Sequence, residues 1–180
     1  MKKTVIILLV ILFTVPAFPQ DESEPETYNN VIKVNALTLI IATGSIFYER
    51  RLTDITAAQL GLGFMSYKIE DTKLSGLFLT PEFKFYIRKN ALDGFFMAPY
   101  LRYMNLGYDN DNGEGTLRNF GGGISFGRQW IFKKGLALEL FFGGHYADSS
   151  FEITRGDEPT DLSKMEGFRT RVGFSVGFAF

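Results

Sequence analysis

The stretch GFRTRVGFSVGFAF, Gly167 to Phe180, decides the fold. Its even positions are Phe168, Thr170, Val172, Phe174, Val176, Phe178 and Phe180. Its odd positions are Arg169, Arg171, Gly173, Ser175, Gly177 and Ala179. Successive side chains of an extended strand point to opposite faces, so this parity makes a strand with one apolar face and one face of glycines and charge.

The same alternation recurs upstream from Lys33, and no segment carries a helical repeat. It predicts eight strands, at about 32–42, 45–52, 56–67, 76–88, 94–108, 117–132, 136–147 and 167–180. Links at 53–55, 89–93 and 133–135 are short. Those at 68–75, 109–116 and 148–166 are longer and polar, and a tight link is expected near residues 43–44. Pairing Glu49 with Gln59, Glu82 with Ala98, and Gln129 with Glu139 keeps like faces together, as antiparallel register demands. That register sets Pro81 opposite Pro99, where a break in the ladder is expected. The first strand is apolar on both sides, with Asn35 expected to point inward.

Glycine placement indicates which face is inside. Gly61, Gly63, Gly121, Gly123, Gly127, Gly143, Gly173 and Gly177 fall mostly on the polar face. An open strand surface loses stability to so many glycines, whereas the crowded interior of a small barrel needs them. The same face carries Glu49, Glu82 and Glu139 against Arg51, Lys84, Arg88, Arg102, Arg169 and Arg171. Enclosed charges of both signs must pair. The other face is almost uncharged over about 9–11 residues per strand, the length of a tilted membrane strand. Tyr48, Trp130 and Phe132 lie by the short turns; Phe64, Tyr103, Tyr146 and Phe168 lie towards the long loops, as two interfacial belts would. The expectation is an all-β, eight-stranded antiparallel up-and-down transmembrane β-barrel. Its charged lumen network is Glu49, Arg51, Glu82, Lys84, Arg102, Glu139, Arg169 and Arg171.

The start of the chain fits that reading. Residues 1–20, MKKTVIILLVILFTVPAFPQ, have the basic start, apolar centre and small-residue end of an export signal. Residues 21–30, DESEPETYNN, read as a flexible acidic leader, leaving 31–180 as the barrel. Removing residues 1–20 takes away two lysines and no acid, leaving 17 basic against 20 acidic residues. That balance argues against a nucleic-acid partner. No cysteine occurs, which removes disulfides and thiolate metal sites.

No catalytic, cofactor or metal constellation emerges. His145 is the one histidine, on the polar face near the outer rim; Ser66, Ser149 or Glu152 would have to approach it to make a hydrolase, and a hydrogen-bonded lumen histidine is the simpler reading. DNDNGEGT, 109–116, fails the EF-hand pattern, because an alignment on Gly113 puts Tyr108 and Asn119 at ligand positions. GGGISFG, 121–127, lacks the lysine of a phosphate loop.

Taken with the signal, the alternating strands and terminal Phe180, KVNALTLIIATGSIFYERRL, LTPEFKFYI, GFFMAPYLRY and RVGFSVGFAF resemble the small outer-membrane barrels of the OmpA/OmpX type. They are similar to an uncharacterised group of such barrels from Gram-negative Bacteroidota. The resemblance implies an outer-membrane location among its lipids. It also implies short turns on the periplasmic side, and a last strand whose Phe174, Phe178 and Phe180 are read by the barrel assembly machinery. No peptidoglycan-binding segment accompanies the barrel, so wall anchoring is not expected. The expected function is non-enzymatic, structural or surface-interacting, with an extracellular partner meeting the 148–166 loop. Three alternatives stand beside it: a small gated ion channel through the charged lumen, an outer-membrane lipid hydrolase using His145, and a secreted lipocalin-like carrier.

Overall fold

The computed structural model describes residues 28–39, 43–69, 72–87, 90–110, 113–156 and 167–180. The expected signal 1–20, most of the leader, Arg88, and residues 157–166 of the longest loop lie outside the described residues. Eight strands follow in order: β1 (Asn30–Asn35), β2 (Thr43–Arg51), β3 (Thr56–Ile69), β4 (Thr72–Tyr86), β5 (Gly94–Asn110), β6 (Gly113–Ile131), β7 (Leu136–Gly156) and β8 (Gly167–Ala179). Each is antiparallel to its neighbour in sequence, and β1 pairs with β8 from Val31↔Ala179 to Asn35↔Ser175, closing the ring. This is the up-and-down barrel that the alternation predicts.

Parity holds around the ring. Lys33, Glu49, Gln59, Lys84 and Glu139 are buried inside, while Ile32, Leu60, Phe83, Phe126 and Val172 are exposed outside. Glycines make the narrow interior possible: at Gly61 an added Cβ would lie 2.6 Å from the Phe47 ring. Phe47 in turn meets Phe141 edge to face across the lumen, with ring centroids 6.4 Å apart. Large rings from opposite walls therefore fit only because small residues face them.

Several boundaries differ from the expectation. β1 ends at Asn35, not 42. The Asn35 side-chain oxygen accepts from the backbone N–H of Leu37 and Thr38 at 3.1 and 3.4 Å, opening a four-residue helix α1 (Ala36–Leu39) where continued strand was expected. Asn30, assigned to the leader, belongs to β1 because its N–H bonds to the Phe180 carbonyl at 2.9 Å. The polar stretches 68–75, 109–116 and 148–156 are largely strand rather than loop. Pairs such as Lys73↔Asp109 and Glu114↔Arg155 continue the ladders past the apolar band, since backbone pairing is indifferent to side-chain polarity.

The β4–β5 register corrects another expectation. Glu82 stands opposite Tyr100, not Ala98, and Pro81 is not opposite Pro99. The offset is two residues, so every side chain keeps its face. The ladder runs Leu79↔Tyr103, Glu82↔Tyr100, Phe85↔Met97, with gaps at the two prolines, which have no N–H to donate.

Both ends of the lumen are filled. At the short-turn end, the turn after β4 tucks inward: Ala91 N–H bonds to Asp54 O at 2.8 Å and Leu92, with φ 79°, is buried among Ala57, Ala98, Ala137 and Ala179. Asp93, beside it, is partly buried, which raises its carboxyl above the usual range. Towards the other end, Phe78, Met104, Leu106 and Leu117 form an apolar core inside the barrel.

Candidate functional site in the lumen

The inner half of the lumen is organised around a lysine that parity reasoning overlooked. Lys33 rises from β1, 1% exposed, and donates to Glu49 Oε2 at 2.5 Å, to Gln129 Oε1 at 2.5 Å and to Glu139 Oε2. Lys84 from β4 donates to the same two carboxylates, at 3.0 Å to Glu49 and 2.6 Å to Glu139. Tyr86 donates to the second oxygen of Glu49 at 2.6 Å. Two cations and two anions thus share one neutral cluster drawn from β1, β2, β4 and β7. Gln129 completes it by donating to the Leu92 carbonyl at 2.7 Å, which fastens the inward turn to the cluster. The shared parity of Lys33 with inward-facing Asn35 was the available signal; the apolar residues on both sides of β1 obscured it.

One level outward, Arg171 of β8 bonds to Glu82 of β4 at 2.6 Å. Its guanidinium lies over Tyr100 at 4.5 Å and Phe141 at 4.6 Å. Tyr100 Oη and His145 Nδ1 are hydrogen-bonded at 3.1 Å. Arg102 of β5 stacks over Phe78 at 4.3 Å.

The expected network therefore resolves into separate groups. Glu49, Lys84 and Glu139 come together, with Lys33 added; Glu82 and Arg171 form a second pair; Arg102 stands beside that pair. Arg169 lies further out on β8, opposite His145 in the β7–β8 register. Arg51 is not in the lumen network: it sits at the short-turn rim and pairs with Asp54 at 2.7 Å. Of the residues that would serve His145 in hydrolysis, Ser149 accepts from Asn119 at 2.8 Å, and Glu152 pairs with Arg118 at 2.7 Å on the outer extension. Among the described residues, no three carboxylate or imidazole groups are arranged to hold a metal.

Phe178 on β8 and Phe180 just after it are exposed on the outer side, and Phe174 shares the parity of Phe178, half-buried. At the short-turn end Arg128 lies on the outer face over Phe95 at 4.7 Å and Trp130 at 5.0 Å, a cation laid along an aromatic rim.

An apolar outer wall around a packed, ion-paired interior defines an eight-stranded β-barrel turned inside-out relative to a soluble protein. The chain belongs to the family described as proteins of unknown function, DUF3575, whose model matches residues 4–179. No curated protein sequence matches it. Among solved structures it is similar to the N-terminal β-barrel domain of OprF from Pseudomonas aeruginosa, at 18% identity and a TM-score of 0.50. That likeness covers 85% of this chain and 98% of that one, and it extends to the fold.

Proposed function

We propose that this protein is a non-enzymatic barrel of the bacterial outer membrane, a rigid structural scaffold that presents its extended outer hairpins at the cell surface. The observation that carries the reading is the contrast between wall and lumen. Leu60, Leu62, Phe126 and Phe142 are about half exposed on the outside, while Lys33, Glu49, Lys84 and Glu139 are sealed within. In water that arrangement is unfavourable on both counts, since each large apolar side chain left exposed forgoes about 1.5–3 kcal/mol. In a bilayer the wall is solvated by hydrocarbon, and closing the strands into a ring leaves most backbone groups paired.

The filled interior favours scaffold over channel. A neutral four-charge cluster, an inward Leu92 turn and an apolar outer core leave little continuous aqueous path in an eight-stranded barrel. The extensions of β4 to β7 beyond the apolar band offer rigid, polar surface for an extracellular partner. The rings of Phe174 and Phe178 on β8 and of Phe180 just after it are the elements we assign to recognition by the assembly machinery during insertion.

Fractionation tests the location: the chain sediments with outer membrane and migrates faster unheated than boiled in a detergent gel. Recovery in the soluble fraction with no such shift would overturn it. Spin labels at Phe126 are expected to report hydrocarbon and labels at Gly123 a closed, polar interior.

A further inference from the structure

Charge is balanced in the inner half of the lumen and unbalanced in the outer half. Two lysines meet two glutamates around Glu49. Around Tyr100, two guanidiniums meet one carboxylate. Arg171 takes Glu82, yet its Nη1 is buried without an acceptor. Arg102 feels that same carboxylate only at longer range; it rests on Phe78, and its Nε is buried without an acceptor. The two cations are close neighbours. Arg171 covers the Tyr100 ring, and Arg102 follows Tyr100 by two residues on the same inward face, a step of about 7 Å along a strand. Arg171 acts electrostatically on Arg102, and both act on His145.

Two cations that share one counter-charge in a low-dielectric interior are left with unneutralised charge, and a guanidinium presents paired donors that match the oxygens of a carboxylate or phosphate. We propose that Arg102 and Arg171 form an anion site in the outer half of the lumen, taking one carboxylate or phosphate group between them, with the Tyr100–His145 pair at its edge.

The wall beside this site differs from the rest of the barrel. β1 pairs with β8 only from Ser175 to Ala179, so among the described residues the same edge of β8 from Gly167 to Phe174 has no ladder partner. Arg171 lies on that stretch. Helix α1 packs against β8 beside that edge. A free phosphate and the carboxylate head of a lipid offer the two guanidiniums the same chemistry.

The test uses the full barrel refolded in zwitterionic detergent, titrated calorimetrically with inorganic phosphate in one arm and with dodecanoate in the other. Saturable binding near one per barrel is expected in at least one arm. Binding of phosphate identifies a free anion, and binding of dodecanoate alone identifies a lipid-derived head group. Arg102→Gln should weaken binding at least tenfold while the heat-modifiable gel shift is retained, because the Glu82–Arg171 pair is untouched. Glu82→Gln releases Arg171 from its carboxylate and should tighten binding; it serves as the independent variant if Arg102→Gln does not fold. The proposal is overturned by the absence of saturable binding in both arms, by unchanged affinity in Arg102→Gln, or by unchanged or weaker affinity in Glu82→Gln.

Discussion

Lys33 and Glu139 form an ion pair although they belong to strands that are not neighbours: β8 lies between β1 and β7. The contact spans the barrel wall's curvature and ties the first strand to the seventh, around the seam where the ring closes.

Removing one partner of that pair leaves an odd charge in a sealed interior. Lys33→Met is expected to cost about 3–5 kcal/mol, since Glu49 and Glu139 would then share only Lys84. Removing Glu139 as well restores neutrality, because Lys84 and Glu49 remain as a pair. The double variant Lys33→Met/Glu139→Met should therefore recover most of the loss. Urea unfolding in vesicles, followed by the heat-modifiable band, measures both. A double variant no more stable than the singles would mean that geometry, not charge balance, sets the cost.

Why Lys33 escaped sequence reasoning is physical. Faces are readable where one side is polar, and β2 to β8 announce theirs. In VIKVNALTLIIA both parities are apolar, and the strand stops at Asn35 because that side chain turns back to cap α1. Side-chain pattern carries no trace of where a cap will intervene. The two-residue offset at Glu82↔Tyr100 escaped for a related reason: a shift of two preserves every face, so patterning cannot distinguish the registers. Strands extending through polar stretches such as 109–116 were also unreadable, because ladder hydrogen bonds are made by backbone whatever the side chains are. What parity did convey was the inside and the outside, and with them most members of the lumen cluster.

Gly61 is a second point of leverage. A methyl group there would enter the space of the Phe47 ring, which is already braced against Phe141. Gly61→Ala should destabilise by about 1–3 kcal/mol through overpacking. Combining it with Phe47→Leu removes the obstructing ring and should return part of that loss. A double-mutant cycle with a favourable coupling between the two positions checks the claim, and additive losses would contradict it.

The turn that closes the short-turn end supplies a pH signature outside the apolar band. Burial raises the Asp93 carboxyl above its ordinary range, so its folded-state proton affinity exceeds the unfolded one. The contribution is thus favourable while the group is protonated, at pH below the unfolded value, and is lost as pH rises through the folded value. Asp93→Asn removes the titration. The variant should match the wild type in acid and become the more stable of the two towards neutral pH, as read from unfolding midpoints across that range. Midpoints that stay parallel at every pH would show that Asp93 carries no linkage.

Two seals stand in series at the short-turn end, the Leu92 turn and the cluster around Lys33, joined by the Gln129 bond to the Leu92 carbonyl. In a series arrangement, opening one barrier leaves the other limiting. Leu92→Ala empties the space among Ala57, Ala98 and Ala137 at a cost of about 2–5 kcal/mol, yet the charges above it remain paired. Lys33→Ala/Glu139→Ala thins the cluster but leaves the turn in place. In planar bilayers the wild type, each of these variants and all three substitutions together should be silent, because the apolar core of Phe78, Met104, Leu106 and Leu117 still fills the outer half. Steady conductance from Leu92→Ala alone would show that the charged cluster is permeable and that the barrel is a channel closed only by its turn.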